Sequence, residues 1–265
     1  MKQRVDSWLV DNGYFQSREQ AQRSIMAGEV IINGKRIEKA SQMVSEPLEV
    51  NRLSVETYVS RGGKKLEKAL RSFDIKVDGR ICLDAGASTG GFTDCLLQFG
   101  AGHIYAVDVG YGQIAWKLRQ DQRVTVFERE NIRYFTKERL QEIPSLITAD
   151  LSFISLELVF PNFLELIAAE GDLVTLIKPQ FEAGKGKVGK KGVVRDKTVH
   201  LEVLERLLAT GLSIGWNLVN LTFSPILGPE GNLEYLGHWR VKKDPIETFS
   251  NIEALVEQAW QELKI

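Results

Sequence analysis

Residues 81–97 read ICLDAGASTGGFTDCLL. An apolar run ends in an acid, passes through Gly86, Gly90 and Gly91, and resumes as an amphipathic pattern. The spacing predicts a strand, a tight turn and a helix, the arrangement in which bare backbone can approach a small ligand closely.

The same alternation continues outward from this stretch. Apolar runs at 81–85, 103–108, 124–127, 145–149, 172–177, 216–223 and 234–241 predict seven strands. Helical periodicity falls near 91–99, 155–168, 196–210 and 247–263. Strands alternating with helices give an α/β fold with a mostly parallel sheet covered on both faces. The last two strand runs have no helix between them and are expected to pair antiparallel at the sheet edge.

Residues 1–50 read as a separate small α/β module. A helix from about Val5 to Asp11 stops at Gly13, and Ser17 with Gln20 forms a capping box for a second helix ending near Gly28. VIINGKRI (30–37) then places an Asn33-Gly34 hairpin turn between short strands. Residues 51–60 read as a connector, and 61–265 as the main domain.

Composition narrows the function class. The chain has 265 residues, 43% apolar and 26% charged, which suits a large globular domain plus a module. The first residues lack the apolar core of a signal peptide, and Asp150 and Glu157 break the longest candidate span. Cys82 and Cys95 offer neither a disulfide framework nor metal-ligand spacing, so a cytoplasmic protein without a metal is expected. Net charge is −1, yet positive charge concentrates in two windows. Residues 52–71 carry six Lys/Arg against two Glu, and 178–197 carry seven against Glu182 and Asp196. Such windows suit a polyanion, although two solvated lysine-rich loops would read the same way.

Three cofactor classes use a glycine turn after a first strand. A P-loop needs Lys after its last glycine, where this chain has Phe92. A dinucleotide fingerprint needs glycine where Ser88 stands. S-adenosylmethionine fits best: Asp84 precedes the turn formed by Gly86, Ala87, Ser88, Thr89, Gly90 and Gly91. Asp108 in IYAVDVG (104–110) ends the next strand, placed for ribose hydroxyls, and Asn131 in ERENIR (128–133) is placed for the adenine edge.

The acceptor atom is read elsewhere. After the fourth strand the chain has ADLSFISL (149–156), without the paired prolines that accompany amine methylation. Cys82 and Cys95 fall within the first strand and the following helix, as core residues rather than nucleophiles. An oxygen acceptor remains, and its hydroxyl needs a base. Lys178 ends the fifth strand, where open α/β sheets place their sites. A second ammonium, Lys64 or Lys65 in SRGGKKLEKAL (60–70), would lower its proton affinity, with Asp150 and Glu234 orienting the pair. Read singly, each of these residues is equally a surface ion-pair member.

Six segments carry a family resemblance: VSRGGKKL (59–66), LDAGASTGGFTD (83–94), VDVGYGQIAWKLR (107–119), ADLSFISL, KPQFEAGKG (178–186) and GPEGNLEY (228–235). Together they resemble the TlyA-type (haemolysin A) family of ribosomal RNA methyltransferases, with an FtsJ-like catalytic domain. The resemblance implies a Rossmann-like, seven-stranded, S-adenosylmethionine-dependent methyltransferase acting on cytidine 2′-oxygens in rRNA. Its Lys-Asp-Lys-Glu tetrad falls on Lys65, Asp150, Lys178 and Glu234, with Lys65 preferred because it directly precedes Leu66.

The N-terminal module resembles the RNA-binding domain first seen in a small-subunit ribosomal protein. Arg4, Arg18, Arg23 and Lys35 would then face phosphate, joined on the main domain by Arg61, Lys64, Lys185 and Lys187. The module carries seven basic and seven acidic residues, so its bases must share a face for this to hold. The glycine- and lysine-rich loop from Pro179 to Arg195 is expected to close over RNA. Phe181 within it is read as either a base-stacking or a core residue. Three other classes fit parts of the pattern: a non-catalytic assembly factor retaining the fold, a membrane-lytic protein as the haemolysin label suggests, and a small-molecule O-methyltransferase.

Overall fold

The computed structural model describes residues 2–26, 28–45, 48–52, 57–184, 186–189, 192–241 and 248–263. The chain divides into two compact units, Met1–Thr57 and Tyr58–Ile265.

In the first unit, helices Val5–Asp11 and Arg18–Met26 pack over a small sheet of Lys35–Arg36, Val30–Ile32 and Val50–Arg52. Gln3–Arg4 pairs antiparallel with Met43–Val44. Ser17 Oγ accepts the Gln20 N–H at 3.3 Å, as the capping box requires, but Gln20 Oε1 reaches back to the Gln16 N–H at 3.0 Å. Asn33 and Gly34 both have positive φ, +52° and +73°, which a two-residue hairpin turn needs so that its twist matches the flanking strands. Val5, Leu9, Ala21, Ile25 and Val30 form the buried centre.

The second unit is built on strands β1 (Ile81–Ala85), β2 (His103–Asp108), β3 (Val124–Glu128), β4 (Leu146–Ala149), β5 (Asp172–Ile177), β6 (Trp216–Phe223) and β7 (Tyr235–Val241). Their order across the sheet is β6-β7-β5-β4-β1-β2-β3, and only β7 runs against the rest. The expected antiparallel pair is present, but β7 inserts between β5 and β6, leaving β6 at the edge. This insertion sets Tyr235 opposite Ile177, so the start of β7 lies beside the end of β5.

Successive residues of the central strands point to opposite faces, and both faces are apolar. Leu83, Tyr105, Val107, Ile147 and Leu173 pack with Phe160, Phe163, Trp216 and Trp239 on one side. Cys82, Ile104, Ala106, Leu146 and Val174 pack on the other, with Leu66, Leu70 and Leu96. The covering helices are α1 (Gly62–Ser72), α2 (Gly91–Gln98), α3 (Trp116–Arg119), α4 (Phe160–Leu166), α5 (Pro179–Glu182), α6 (Lys197–Ile214) and α7 (Ile252–Leu263).

The helix expected over 155–168 is interrupted. A 3₁₀ turn at Leu156–Leu158, capped by Ser155, precedes α4, and Pro161 sits in the first turn of α4, where its missing N–H costs nothing. α6 runs four residues past its expected end. Asp196 Oδ1 caps it by accepting the Thr198 N–H at 2.9 Å, and Gly215 at φ +107° closes it. Among the described residues, no helix is long and apolar enough to cross a membrane.

Candidate active site

Strand order reverses at β1: the chain leaves it for β2 on one side and later returns to β4 on the other. The crevice at the carboxyl ends of these strands is where open α/β sheets bind ligands. The turn after β1 has positive φ at Gly86 (+81°), Ser88 (+49°) and Gly90 (+94°). Asp108, at the end of β2, shapes this turn. Its Oδ2 accepts the Ser88 N–H at 2.8 Å and its Oδ1 the Gly110 N–H at 2.6 Å. Ala87 and Gly91 are buried, whereas Ser88 and Thr89 are exposed at the rim. Asn131 lies exposed just past β3, where its Oδ1 accepts the Arg133 N–H at 3.0 Å. A half-buried carboxylate with spare lone pairs, exposed hydroxyls and open backbone suit an adenosine-bearing ligand.

Asp84, expected at the cofactor, is held by neighbouring hydroxyls. It is fully buried, with Oδ2 accepting from Thr93 Oγ1 at 2.6 Å and Oδ1 from Thr148 Oγ1 at 3.1 Å. Its carboxyl ties β1 to α2 and β4. Burial pushes this carboxyl up to about 7, against the opposing pull of the threonine hydroxyls. Cys82 and Cys95 are likewise buried, and loss of solvent pushes each thiol up to about 12, so neither is a nucleophile near neutral pH.

The four tetrad residues form two ion pairs. Lys178, directly after β5, places Nζ 2.6 Å from Asp150 Oδ1 and 3.0 Å from Ser152 Oγ. Lys65, on α1, places Nζ 2.5 Å from Glu234 Oε2, with both side chains buried. Each lysine therefore has its own carboxylate partner, Asp150 for Lys178 and Glu234 for Lys65. Gln180, two residues beyond Lys178, donates Nε2–H to the other oxygen of Glu234 at 3.4 Å, which links the two pairs through α5.

The glycine turn packs against segments that carry both pairs. A Cβ on Gly86 would lie 2.4 Å from the carbonyl oxygen of Asp150, and the Asp150 N–H donates to the Ala85 carbonyl at 3.0 Å. A Cβ on Gly91 would lie 2.2 Å from Ser60 Oγ and 3.0 Å from the Gly63 nitrogen, at the start of the helix carrying Lys65. Only glycine permits these approaches.

Three side chains that the sequence reading passed over also belong here. Phe153, three residues past Asp150, is 89% exposed and has φ +63°, a strained backbone for a bulky residue. Its ring lies 4.9 Å from that of half-buried Phe181, and Lys178 Nζ lies 5.7 Å from the Phe181 centroid. Buried Glu182 fixes this corner, accepting from Ser155 Oγ at 2.6 Å and the Leu156 N–H at 2.9 Å. Asn232 anchors the basic loop: its Oδ1 accepts the Val194 N–H at 3.1 Å and its Nδ2 donates to the Gly192 carbonyl at 2.8 Å.

The expected RNA-facing residues divide. Arg61 is exposed and donates Nη2–H to the Leu227 carbonyl at 2.6 Å, and Lys64 is half-buried. Lys187 is paired with Glu202, and Lys185 lies outside the described residues. In the first unit Arg23 and Lys35 are exposed, whereas Arg4 and Arg18 both contact buried Asp6.

Residues 58–240 match the FtsJ-like methyltransferase family, and residues 3–50 match the S4 domain. The chain is 45% identical to the 16S/23S rRNA (cytidine-2′-O)-methyltransferase TlyA of Mycobacterium tuberculosis, covering 98% of this chain and 97% of that one. It is 44% identical to hemolysin A of Brachyspira hyodysenteriae, covering 89% and 99% respectively. A solved structure from Streptococcus thermophilus, carrying a provisional hemolysin name, superposes with a TM-score of 0.80 at 43% identity, covering 99% and 97%.

Proposed function

The chain belongs to the TlyA/hemolysin A family of FtsJ-like methyltransferases, and on that premise we propose that it methylates the ribose 2′-oxygen of cytidine in ribosomal RNA. The observation that supports this reading is that one glycine turn packs against the segments carrying the two lysine–carboxylate pairs: Gly86 against the backbone of Asp150, and Gly91 against the start of α1, which bears Lys65.

S-adenosylmethionine supplies the electrophilic methyl group when bound. Ser88, Thr89 and Asp108 would hold its nucleoside part, with Asn131 near the base. Lys178 in its neutral form would take the proton from the 2′-hydroxyl at Nζ. Asp150 and Ser152 aim that nitrogen. Lys65, enclosed with Glu234, would act on the acceptor site through its charge from the buried side and not by touching the RNA backbone. Phe153 and Phe181 offer ring faces for an unstacked base. The S4 domain and the exposed Arg61 would contribute phosphate contacts that position RNA without reading its sequence.

The test uses purified protein, S-adenosylmethionine and deproteinised ribosomal RNA, with methylated riboses mapped afterwards. Lys178→Ala is expected to lower turnover by about 10²–10⁴-fold while calorimetric binding of S-adenosylmethionine stays unchanged. Lys178→Arg, which keeps the charge but supplies no base, should be equally inactive. Normal turnover in either variant rejects Lys178 as the base. Absence of S-adenosylmethionine binding by the wild-type protein, with and without RNA, would favour a non-catalytic assembly factor.

A further inference from the structure

In the first unit a single carboxylate gathers two of the arginines expected at RNA. Asp6 is fully buried. Its Oδ1 accepts from Arg4 Nε at 3.0 Å and from the Ser7 N–H at 2.9 Å. Its Oδ2 accepts from Arg4 Nη2 at 2.8 Å, Arg18 Nη2 at 3.2 Å and Gln22 Nε2 at 2.7 Å. The two arginine side chains themselves remain 43% and 54% exposed. We propose that Asp6 is a positioning residue that holds Arg4 and Arg18 together as one two-guanidinium site for an RNA backbone phosphate.

Three physical points support this. Enclosing a carboxylate is costly, and replacing a buried ion cluster by apolar side chains is often neutral for stability, so its presence calls for a reason beyond packing. Both guanidinium nitrogens bond the same oxygen, so they lie within about 6 Å of each other, a span that one phosphate can bridge with two charge-assisted hydrogen bonds. Two cations held that close repel unless an anion sits between them, and Asp6 supplies the anion from the buried side while leaving solvent-facing N–H donors free. The arrangement also resolves the charge problem of the module. Its overall charge is zero, but two of its arginines share one face through their common partner.

This inference rests on the reading of the chain as an RNA-binding enzyme, and a positioning role can be separated from a charge effect by sign. If Asp6 merely dilutes positive charge, Asp6→Asn tightens RNA binding, because the site gains one net positive charge. If Asp6 sets geometry, Asp6→Asn weakens it, and so does Asp6→Glu, which keeps the charge but moves the carboxylate by one methylene. Arg4→Lys provides a variant at an exposed position: the charge stays, and the two-point grip on Asp6 is lost.

The experiment is filter binding of the full-length protein to deproteinised ribosomal RNA between about 50 and about 200 mM salt, with thermal melting of each variant alongside. Folded Asp6→Glu and Arg4→Lys variants are expected to bind at least about tenfold more weakly at the lower salt. The slope of log affinity against log salt is expected to become shallower by about 0.7–1.8, the loss of one to two phosphate contacts. In an Arg4→Ala/Arg18→Ala background, Asp6→Glu should cause no further loss, because its effect runs through those two side chains. Tighter binding by Asp6→Asn, or wild-type affinity and slope in Arg4→Lys and Asp6→Glu, overturns the positioning role while leaving RNA binding intact. Failure of the wild-type protein to bind ribosomal RNA overturns the RNA reading and this site with it.

Discussion

Lys65 Nζ and Glu234 Oε2 lie 2.5 Å apart in a setting closed to solvent, joining helix α1 to the start of β7. Such a pair resists loss of one partner far more than loss of both. Glu234→Ala leaves an ammonium enclosed without a counter-charge and is expected to cost about 3–5 kcal/mol of stability. Replacing both, Lys65→Met with Glu234→Leu, should recover most of that loss while turnover stays abolished. Urea unfolding of the single and double variants checks the claim, and a Glu234→Ala protein as stable as wild type would refute it.

Asp84 makes stability depend on pH in a defined direction. Its folded-state proton affinity is pushed up to about 7 by burial, from an ordinary carboxyl value near 3.8. Between those values the native chain holds a proton that the unfolded chain has released, so stability falls as pH rises. The contribution is full below about pH 4 and lost as pH passes through about 7, a swing on the order of 4 kcal/mol. Asp84→Asn keeps partners for Thr93 and Thr148 without a titrating proton, and should flatten the dependence. Urea midpoints from pH 5 to pH 8 measure it; parallel curves for wild type and variant would place the titration elsewhere.

Four strands, 81–85, 103–108, 172–177 and 216–223, have the ends that their apolar runs predict, because such runs leave little choice of which residues to bury. The glycine turn was equally legible, since glycine spacing reports positive φ directly. What a single sequence could not disclose was pairing. Nothing in the local order of residues says that Glu234 takes Lys65 and Asp150 takes Lys178, or that Asp6 collects Arg4 and Arg18. Those choices depend on β7 slotting in beside β5 and on two helices crossing. The partners of Asp84 are hidden for a related reason: the threonines that bond it come from other elements, α2 and β4. Phe153 was hidden because an exposed phenylalanine and a core phenylalanine look alike inside the apolar run LSFISL (151–156).

Phe153 therefore offers a test that separates function from stability. The side chain is almost wholly exposed, and its left-handed backbone is strained for any residue with a Cβ. Phe153→Gly should leave the melting temperature unchanged or raise it. If the ring carries a base next to Lys178, the same variant loses a stacking contact of about 1–3 kcal/mol, or about 5- to 150-fold in kcat/KM for RNA. S-adenosylmethionine binding should not change. Unaltered kcat/KM in a folded variant would remove Phe153 from the acceptor site.

Gly86 lies where the glycine turn meets the backbone of Asp150, and a single methyl group there probes whether the turn and the Asp150–Lys178 pair act together. A Cβ would stand 2.4 Å from the Asp150 carbonyl oxygen, and φ at this position is +81°. Backbone cannot rotate away as a flexible side chain would, so Gly86→Ala must either push the Asp150 carbonyl or distort the turn. The strain is expected to cost about 1–3 kcal/mol of stability. The kinetic signature is more specific: because Asp150 holds Lys178 at 2.6 Å, displacing its backbone should lower kcat as well as weaken S-adenosylmethionine binding. Gly79→Ala, whose φ of +69° is equally strained but whose Cβ would meet nothing within 4 Å, supplies the control for a purely conformational loss. If both variants lose stability alike and neither loses kcat, the turn and the Asp150–Lys178 pair work independently.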